Sequence, residues 1–417
     1  MTDPDRDARI RALLVQALAE FPVPVPVITS AIISDPLALD LALAAAAPGA
    51  TLLLAPTLRY PRHLTLRQPV ALLSTIAGVG RIGLTELLGP TFLQGITIAG
   101  DGVTLRGLEV RHSDRTQTLV DVTGAGAVVD RCRILGDPAT GQKRGIAANG
   151  AAGIYTRNYV EDCFGPYPGD DCQAFYVQST PGPLLIEDNF LSGGTETLMI
   201  GGGDPADAAH LPSDIVIRRN TLTKNPKWQA LPISVKNVLE LKNARRVTIE
   251  DNDISYSWGG RGQDGYLLML TVRNQGGTAP YSTVQDVLVG GNRFSHGAAA
   301  INVLGRDNNQ PSEPMARVQI LENQFADLNP VLYTGSKKMN QIDGGPGDVT
   351  IRGNVFDGVG MTSVVYFAGG PKCERLAIDG NAWPKTKYGV FGSGATLGQA
   401  WAQYVASGTL GPNTERP

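Results

Sequence analysis

The sequence predicts an all-β fold: a right-handed parallel β-helix solenoid of about ten or more coils with an N-terminal α-helical cap. Three observations predict it. A short phrase recurs in order through most of the chain, reading apolar, any, apolar, any, any, Asn, any, apolar. Glycine is abundant at 50 of 417 residues, where an ordinary chain has about 7%. Proline adds 28 breakers and aromatic residues make up only 6%, a balance that argues against a helical bundle, because Gly and Pro cost helices most.

The clearest copies of the phrase place Asn189, Asn220, Asn252, Asn292, Asn323, Asn354 and Asn381 in one slot. Ile215, Ile217 and Leu222 flank Asn220 as Val287, Val289 and Phe294 flank Asn292. A weaker copy centres on Asn158, and Cys132 and Leu108 hold the slot before it. Steps between slots run 24, 26, 31, 31, 32, 40, 31, 31 and 27 residues. Alternation before the slot marks a strand with one buried face. The break in alternation marks a bend, and Asn is expected there in the left-handed conformation. A mid-coil strand is expected at Phe175–Val177, Leu198–Ile200, Val238–Leu241, Leu268–Val272, Ile301–Leu304, Val331–Tyr333 and Val364–Phe367. One such turn cannot bury its own apolar face, so the coils must stack, rising about 4.8 Å each. The asparagines then form an internal ladder. Propeller blades run about 40–45 residues, longer than most of these steps, and a sandwich has no reason to repeat one Asn slot.

The ends read as caps. Residues 5–20 have helical periodicity, and Asp35–Ala47 is an Ala/Leu-rich helix closed by Pro48-Gly49 before the strand Thr51–Leu54. Residues 1–48 are therefore expected to be the helical cap and 49–395 the β-helix. Residues 396–417 are the C-terminal cap and tail: a short helix over Leu397–Val405 with Trp401 and Tyr404 inward, then a loose tail from Pro412 to Pro417. An open solenoid end needs such covers.

Composition excludes several partners. The charge sum is 36 − 39 = −3, which gives no basic field for nucleic acid. The apolar run Leu41–Ala47 is too short for membrane insertion, which takes about 20 residues. The charged start Met-Thr-Asp-Pro-Asp-Arg-Asp-Ala-Arg is no secretory signal, so cytoplasmic synthesis is expected. The four cysteines show no CxxC pair and the four histidines no metal spacing. Gly78-Val-Gly80-Arg-Ile-Gly83 matches GxGxxG but lacks the strand-to-helix context of a dinucleotide site.

The Ala-rich helix, the Pro-Gly and strand opening, and the N-x-hydrophobic coils together resemble the pectate-lyase-like right-handed parallel β-helix superfamily, over about residues 35–395. Handedness follows from this resemblance and from the right-handed crossover preference. The stretch Ser234–Asn243, with Thr271–Asn274 and Leu304–Asp307, is similar to bacterial β-helix repeat proteins of unassigned activity. The superfamily includes polysaccharide lyases, glycoside hydrolases and phage tailspikes, and the last are commonly trimers. The resemblance thus implies a glycan-recognising surface spike of a phage or phage-like particle that binds cell-surface polysaccharide, with or without depolymerising it, as a homotrimer attached to a larger assembly through its N-terminal segment. The alternatives are a free lyase or hydrolase acting on an acidic polysaccharide, and a purely structural β-helix. No stretch matches a characterised catalytic motif.

Long loops should wall a groove along the axis. They follow the mid-coil strand at 201–213, 273–285, 305–316 and 335–347, and precede it at 162–171, 224–233 and 257–265. Lys242, Arg273, Arg306 and Lys337 recur at the strand ends, 31, 33 and 31 residues apart, and Asn243, Asn274 and Asp307 follow the first three. These seven are the expected substrate-binding set. A column of cations suits an acidic glycan, whereas the bland reading is solvated residues at strand ends. Elimination needs a base and a neutralising cation, roles open to Lys242 or Arg273. Hydrolysis needs two carboxylates, for which Glu240 with either Asp307 or Asp264 is the candidate pair. No cofactor is expected unless calcium, held by Glu240 or by the pair Asp170 and Asp171. Tyr155, Tyr159, Phe164, Tyr167 and Tyr176 either stack on sugars or fill turns.

Overall fold

A computed structural model describes residues 31–76, 89–111, 114–167 and 169–416. The expected helix at 5–20 and the GxGxxG stretch lie outside these residues. The chain winds as a right-handed parallel β-helix with three parallel sheets of 13, 13 and 12 strands, each coil giving one strand to each sheet except the last, which gives none to the third. The N-terminal helix is Pro36–Ala45, here α1. Pro sits at its start, where no intrahelical N–H partner is lost, and the Asp35 carboxylate caps it by accepting from Ala38 N–H at 2.9 Å. Leu39 plugs the core end and is fully buried. No described helix is long and apolar enough to cross a membrane.

The repeat phrase explains the register. Ile215, Val247, Val287, Val318 and Val349 align in the first sheet. Leu222, Ile254, Phe294, Phe325 and Phe356 align in the second. Phe175, Leu198, Leu239, Leu268 and Ile301 align in the third. All point into one continuous core. Like residues stack on like: Phe294, Phe325 and Phe356 lie with ring centroids 4.5 and 4.6 Å apart.

The asparagines stand in single file. Asn220 N–H donates to Asn252 Oδ1 at 2.9 Å, and Asn252 Nδ2 donates to Ile217 O and to Asn292 Oδ1, each at 2.9 Å. The pattern repeats from Asn158 to Asn413, with Cys132 N–H donating to Asn158 at its start. One expectation is corrected here. The left-handed residue is not the Asn but the one before it: Arg219 at φ 53°, Asp251 at 54°, Glu322 at 55° and Gly291 at 65°. The Asn side chain must face inward to span two coils, so the strain of the corner falls on its exposed neighbour. A second left-handed corner lies at the start of the first-sheet strands, where Asp214, Arg246, Asp286, Arg317, Asp348 and Arg375 alternate in sign. Arg246 Nε donates to Asp214 at 2.7 Å and Arg317 Nε to Asp286 at 2.7 Å. Opposite charges a coil apart support this corner, each exposed pair contributing about 0.2–1 kcal/mol.

Two further expectations are corrected. The mid-coil strand assigned to Val331–Tyr333 is Lys338–Asp343 instead. Val331 is 77% exposed in a loop, while Asn340 fills the apolar slot beside Ile301 and donates to Val364 O at 2.9 Å. The tail is not loose: Asn413 extends the ladder and Thr414–Arg416 pairs with Ala382–Pro384. Between them the expected helix is present as α2, Ala400–Tyr404, with Tyr404 stacked on Phe367 at 5.4 Å.

Candidate functional site

The outer face of the third sheet positions the site. In a strand, the residue between two core residues points outward. Leu239 and Leu241 are core, so Glu240 faces out, and its register partners Met269, Asn302 and Gln341 follow on successive coils. These four line a cleft of about 360 Å³ together with Lys236, Asn237, Lys242, Thr271, Arg273 and Asp343.

The loops before the third sheet form one wall with a small core of its own. Phe164, Trp228, Ile233, Val235, Trp258 and Tyr333 are buried together, and Phe164 and Trp228 meet at 5.0 Å. Gly259 N–H donates to Thr334 O at 2.7 Å, and Gln229 Nε2 to Leu332 O at 2.8 Å, across distant coils. The opposite wall is tied by Asp204, which accepts from Gly276 N–H and Thr278 N–H at 2.9 and 2.8 Å.

Charge in the cleft is matched group by group. Glu240 lies 3.4 Å from Lys242 Nζ and accepts from Asn237 Nδ2 at 2.9 Å. Lys236 Nζ reaches Asp171 at 2.8 Å and Glu196 at 3.3 Å. Glu196 is fully buried behind the cleft and accepts from Gln173 Nε2 at 2.9 Å. Burial, then the charge of Glu240, pushes the Glu196 carboxyl up to about 7. Asp171 moves the other way: burial would raise it, but the hydrogen bond and charge of Lys236 hold it below its ordinary value. Lys224 is also fully buried, donating to the carbonyls of Gly193, Thr195 and Asn237 at 3.2, 3.1 and 2.9 Å. Desolvation pulls its ammonium down, while the nearby charges of Glu196 and Glu240 pull it up.

The structure divides the expected binding set. Lys242 and Arg273 reach the cleft. Arg306 lines a separate hollow of about 200 Å³ with Lys372, Glu374 and Arg375. Lys337 precedes the strand Lys338–Asp343 rather than following it, so the four cations do not form one column. Asn243 and Asn274 are buried, and Asp307 is half-buried with its side chain turned in. Asn274 braces its own loops through Ala279 N–H at 2.9 Å and Pro311 O at 2.8 Å. Asp307 accepts from the N–H groups of Asn274 and Asn309 at 2.7 and 2.8 Å, with Arg273 at 3.5 Å. Asn243 packs beneath Gly201, whose missing Cβ would come 2.5 Å from Asn243 N. Asp170 and Asp171 diverge, Asp170 to Arg115 at 3.0 Å and Asp171 to Lys236. Among the described residues no three His, Cys, Asp or Glu side chains group as a metal site.

Of the aromatic cluster, Tyr155 is a core residue set edge-on to Phe175 at 5.1 Å. Tyr176 is buried beneath Arg144, 4.1 Å away. Tyr167 is 58% exposed, with Arg115 over its ring at 4.6 Å. Residues that the sequence reading missed are Lys236, Asn237, Glu196, Lys224, Met269, Asn302, Gln341 and Asp343. For Met269 and Asn302 a signal existed, since each lies between two core residues of a mid-coil strand, Leu268 and Leu270 or Ile301 and Val303, and so faces outward.

The fold and this face define a class, the right-handed parallel β-helix. Among solved structures the chain is similar to the Dettilon tailspike protein, with TM-score 0.52 and 14% identity over 89% of this chain. The chain spans 64% of that tailspike's length. It also matches an alginate lyase from Paenibacillus sp. str. FPU-7, with TM-score 0.39 and 14% identity over 87% of this chain and 97% of that one. A DFA-IIIase from Arthrobacter chlorophenolicus A6 matches with TM-score 0.49 and 11% identity over 96% and 99%. No family model and no curated protein sequence matches the chain.

Proposed function

We propose that this β-helix binds an extended acidic polysaccharide in the cleft on the outer face of its third sheet. The observation that carries the reading is the set Lys236, Lys242 and Arg273, brought to one face over a floor of Glu240, Met269, Asn302 and Gln341. The cations supply charge-assisted bonds to carboxylates, and the floor supplies donors and acceptors for hydroxyls. The narrower form of the proposal is a spike component of a phage or phage-like particle; size measurement in solution checks the trimer that goes with it.

A second reading, cleavage of the bound glycan, is favoured by the two differently placed carboxylates. Glu240 sits in the cleft beside Lys242, and Glu196 lies behind it with its carboxyl pushed up to about 7. Carboxylates in unlike environments are how one site keeps an acid and a base.

The test is a glycan array with product analysis. Retention of uronate polymers by the protein, lost in Lys242→Ala/Arg273→Ala, is the expected result. Retention unchanged in that variant refutes the cleft as the site. Absorbance at 235 nm reads elimination and new reducing ends read hydrolysis.

A further inference from the structure

The outward column of the third sheet does not stop at the cleft. Its register continues from Gln341 to Tyr366 and then to Phe391. Exposure changes along it. Upstream, Tyr176 and Met199 are buried in a small apolar cluster with Ala147, and Glu240 is 2% exposed. From Met269 through Phe391 every member is half-buried. The path is closed on its N-terminal side and open toward the C-terminal side.

Rings stand at the open end. The Tyr366 and Phe391 centroids lie 6.2 Å apart, and Tyr388 widens the platform at 5.0 Å from Phe391. Lys338 Nζ lies 4.3 Å from the Tyr366 centroid, and Lys387 Nζ 4.8 Å from that of Tyr388. Lys338 also donates to Gln341 Oε1 at 2.9 Å, so the last polar member of the cleft and the first ring of the platform share one cation.

We propose that Tyr366, Phe391 and Tyr388 form a second saccharide subsite, onto which the acidic chain runs after leaving the cleft. The inference rests on the polysaccharide reading above and extends it. A sugar ring has an apolar C–H face that an aromatic ring can cover, while its carboxylate and hydroxyls stay at the edge. Lys338 and Lys387, each over one face of its ring, supply the cations beside the platform that such a carboxylate would pair with. Met269 to Phe391 is four coil steps, or about 19 Å at about 4.8 Å per coil. Each step is close to the length of one sugar residue in an extended chain. Full engagement therefore needs an oligomer of several sugars, and a disaccharide reaches only one of the two subsites.

The test measures affinity for oligogalacturonides of two to eight residues, with cello-oligosaccharides of the same lengths as neutral controls. Acidic oligomers should bind more tightly with length until the platform is covered. Tyr366→Ala and Phe391→Ala should each weaken the long acidic oligomers about three- to tenfold, as a lost stacking contact does, and leave the dimer unchanged. Tyr366→Phe should retain wild-type affinity. Lys387→Glu, at an exposed position that no fold element depends on, should weaken the long acidic oligomers and spare the neutral ones. Length-independent binding, or full affinity in the ring variants and in Lys387→Glu, overturns the second subsite. In that case loss of binding in Lys242→Ala/Arg273→Ala would still uphold the cleft. No retention at any length in either series removes the polysaccharide reading and the subsite together.

Discussion

Lys236 Nζ lies 3.3 Å from Glu196 Oε1, a carboxylate with no exposed surface. The pair joins two coils at the back of the cleft, and Glu240 and Lys224 sit in the same field. Its consequence is pH dependence. Glu196 is pushed from 4.5 up to about 7, first by burial and then by Glu240. A carboxyl raised in the folded state contributes stability that is fully present below its unfolded value and is lost as pH rises through its folded value. Melting temperature should therefore fall between about pH 4.5 and pH 7, and Glu196→Gln should flatten that slope. Thermal melts across this window check it, and equal slopes in the two proteins would contradict it.

Lys224 makes the opposite kind of case, since its ammonium serves three buried carbonyls. Lys224→Met would leave them without a donor and Glu196 with less compensating charge. Removing one partner of a buried charge system costs about 3–5 kcal/mol. The denaturation midpoint should drop accordingly, whereas exposed Lys385→Met should not move it.

The ladder gives a sharper contrast between adjacent residues. Asn252→Ala takes the acceptor from Asn220 N–H and the donor from Ile217 O, and each buried group left unmade costs about 1–3 kcal/mol. Asp251, next to it, holds the left-handed corner at φ 54°. Asp251→Gly should be tolerated or stabilising, and Asp251→Val should be costly, because only the β-branched residue resists that conformation. Denaturant melts of the three variants rank these expectations.

At the site, cations that looked alike in sequence should separate. Lys242→Ala and Arg273→Ala should each weaken glycan binding by about tenfold, the scale of a lost charged hydrogen bond. Arg306→Ala and Lys337→Ala should change it less than about twofold, because Arg306 faces another hollow and Lys337 lies at the far end of its strand. Titration calorimetry with a uronate oligomer of at least six residues reads all four.

Much of the architecture was legible because a parallel solenoid converts sequence period directly into vertical neighbours. The apolar pair before each Asn and the apolar residue after it are the core columns themselves, α1 was legible from its Ala/Leu richness and the Pro48-Gly49 stop, and α2 from the spacing of Trp401 and Tyr404. Val331–Tyr333 misled because it imitates the mid-coil pattern, while the true strand hides its alternation behind the buried Asn340. That one misplacement carried Lys337 into a column it does not join. The site was harder to read. Whether a polar residue at a strand end faces a ligand or braces a loop depends on what the loops do, and Asn274 and Asp307 proved to be braces. Glu196 and Lys224 carry no local mark of burial, because their cover comes from coils and loops distant in sequence.

The central claim is that a glycan lies along the outer face of the third sheet. A structure of the protein with a bound hexameric oligogalacturonide tests it most directly. The expected result places the sugar chain parallel to the solenoid axis, with carboxylates at Lys242 and Arg273 and rings over Tyr366 and Phe391. A sugar seated on the outer face of the first or second sheet would contradict it.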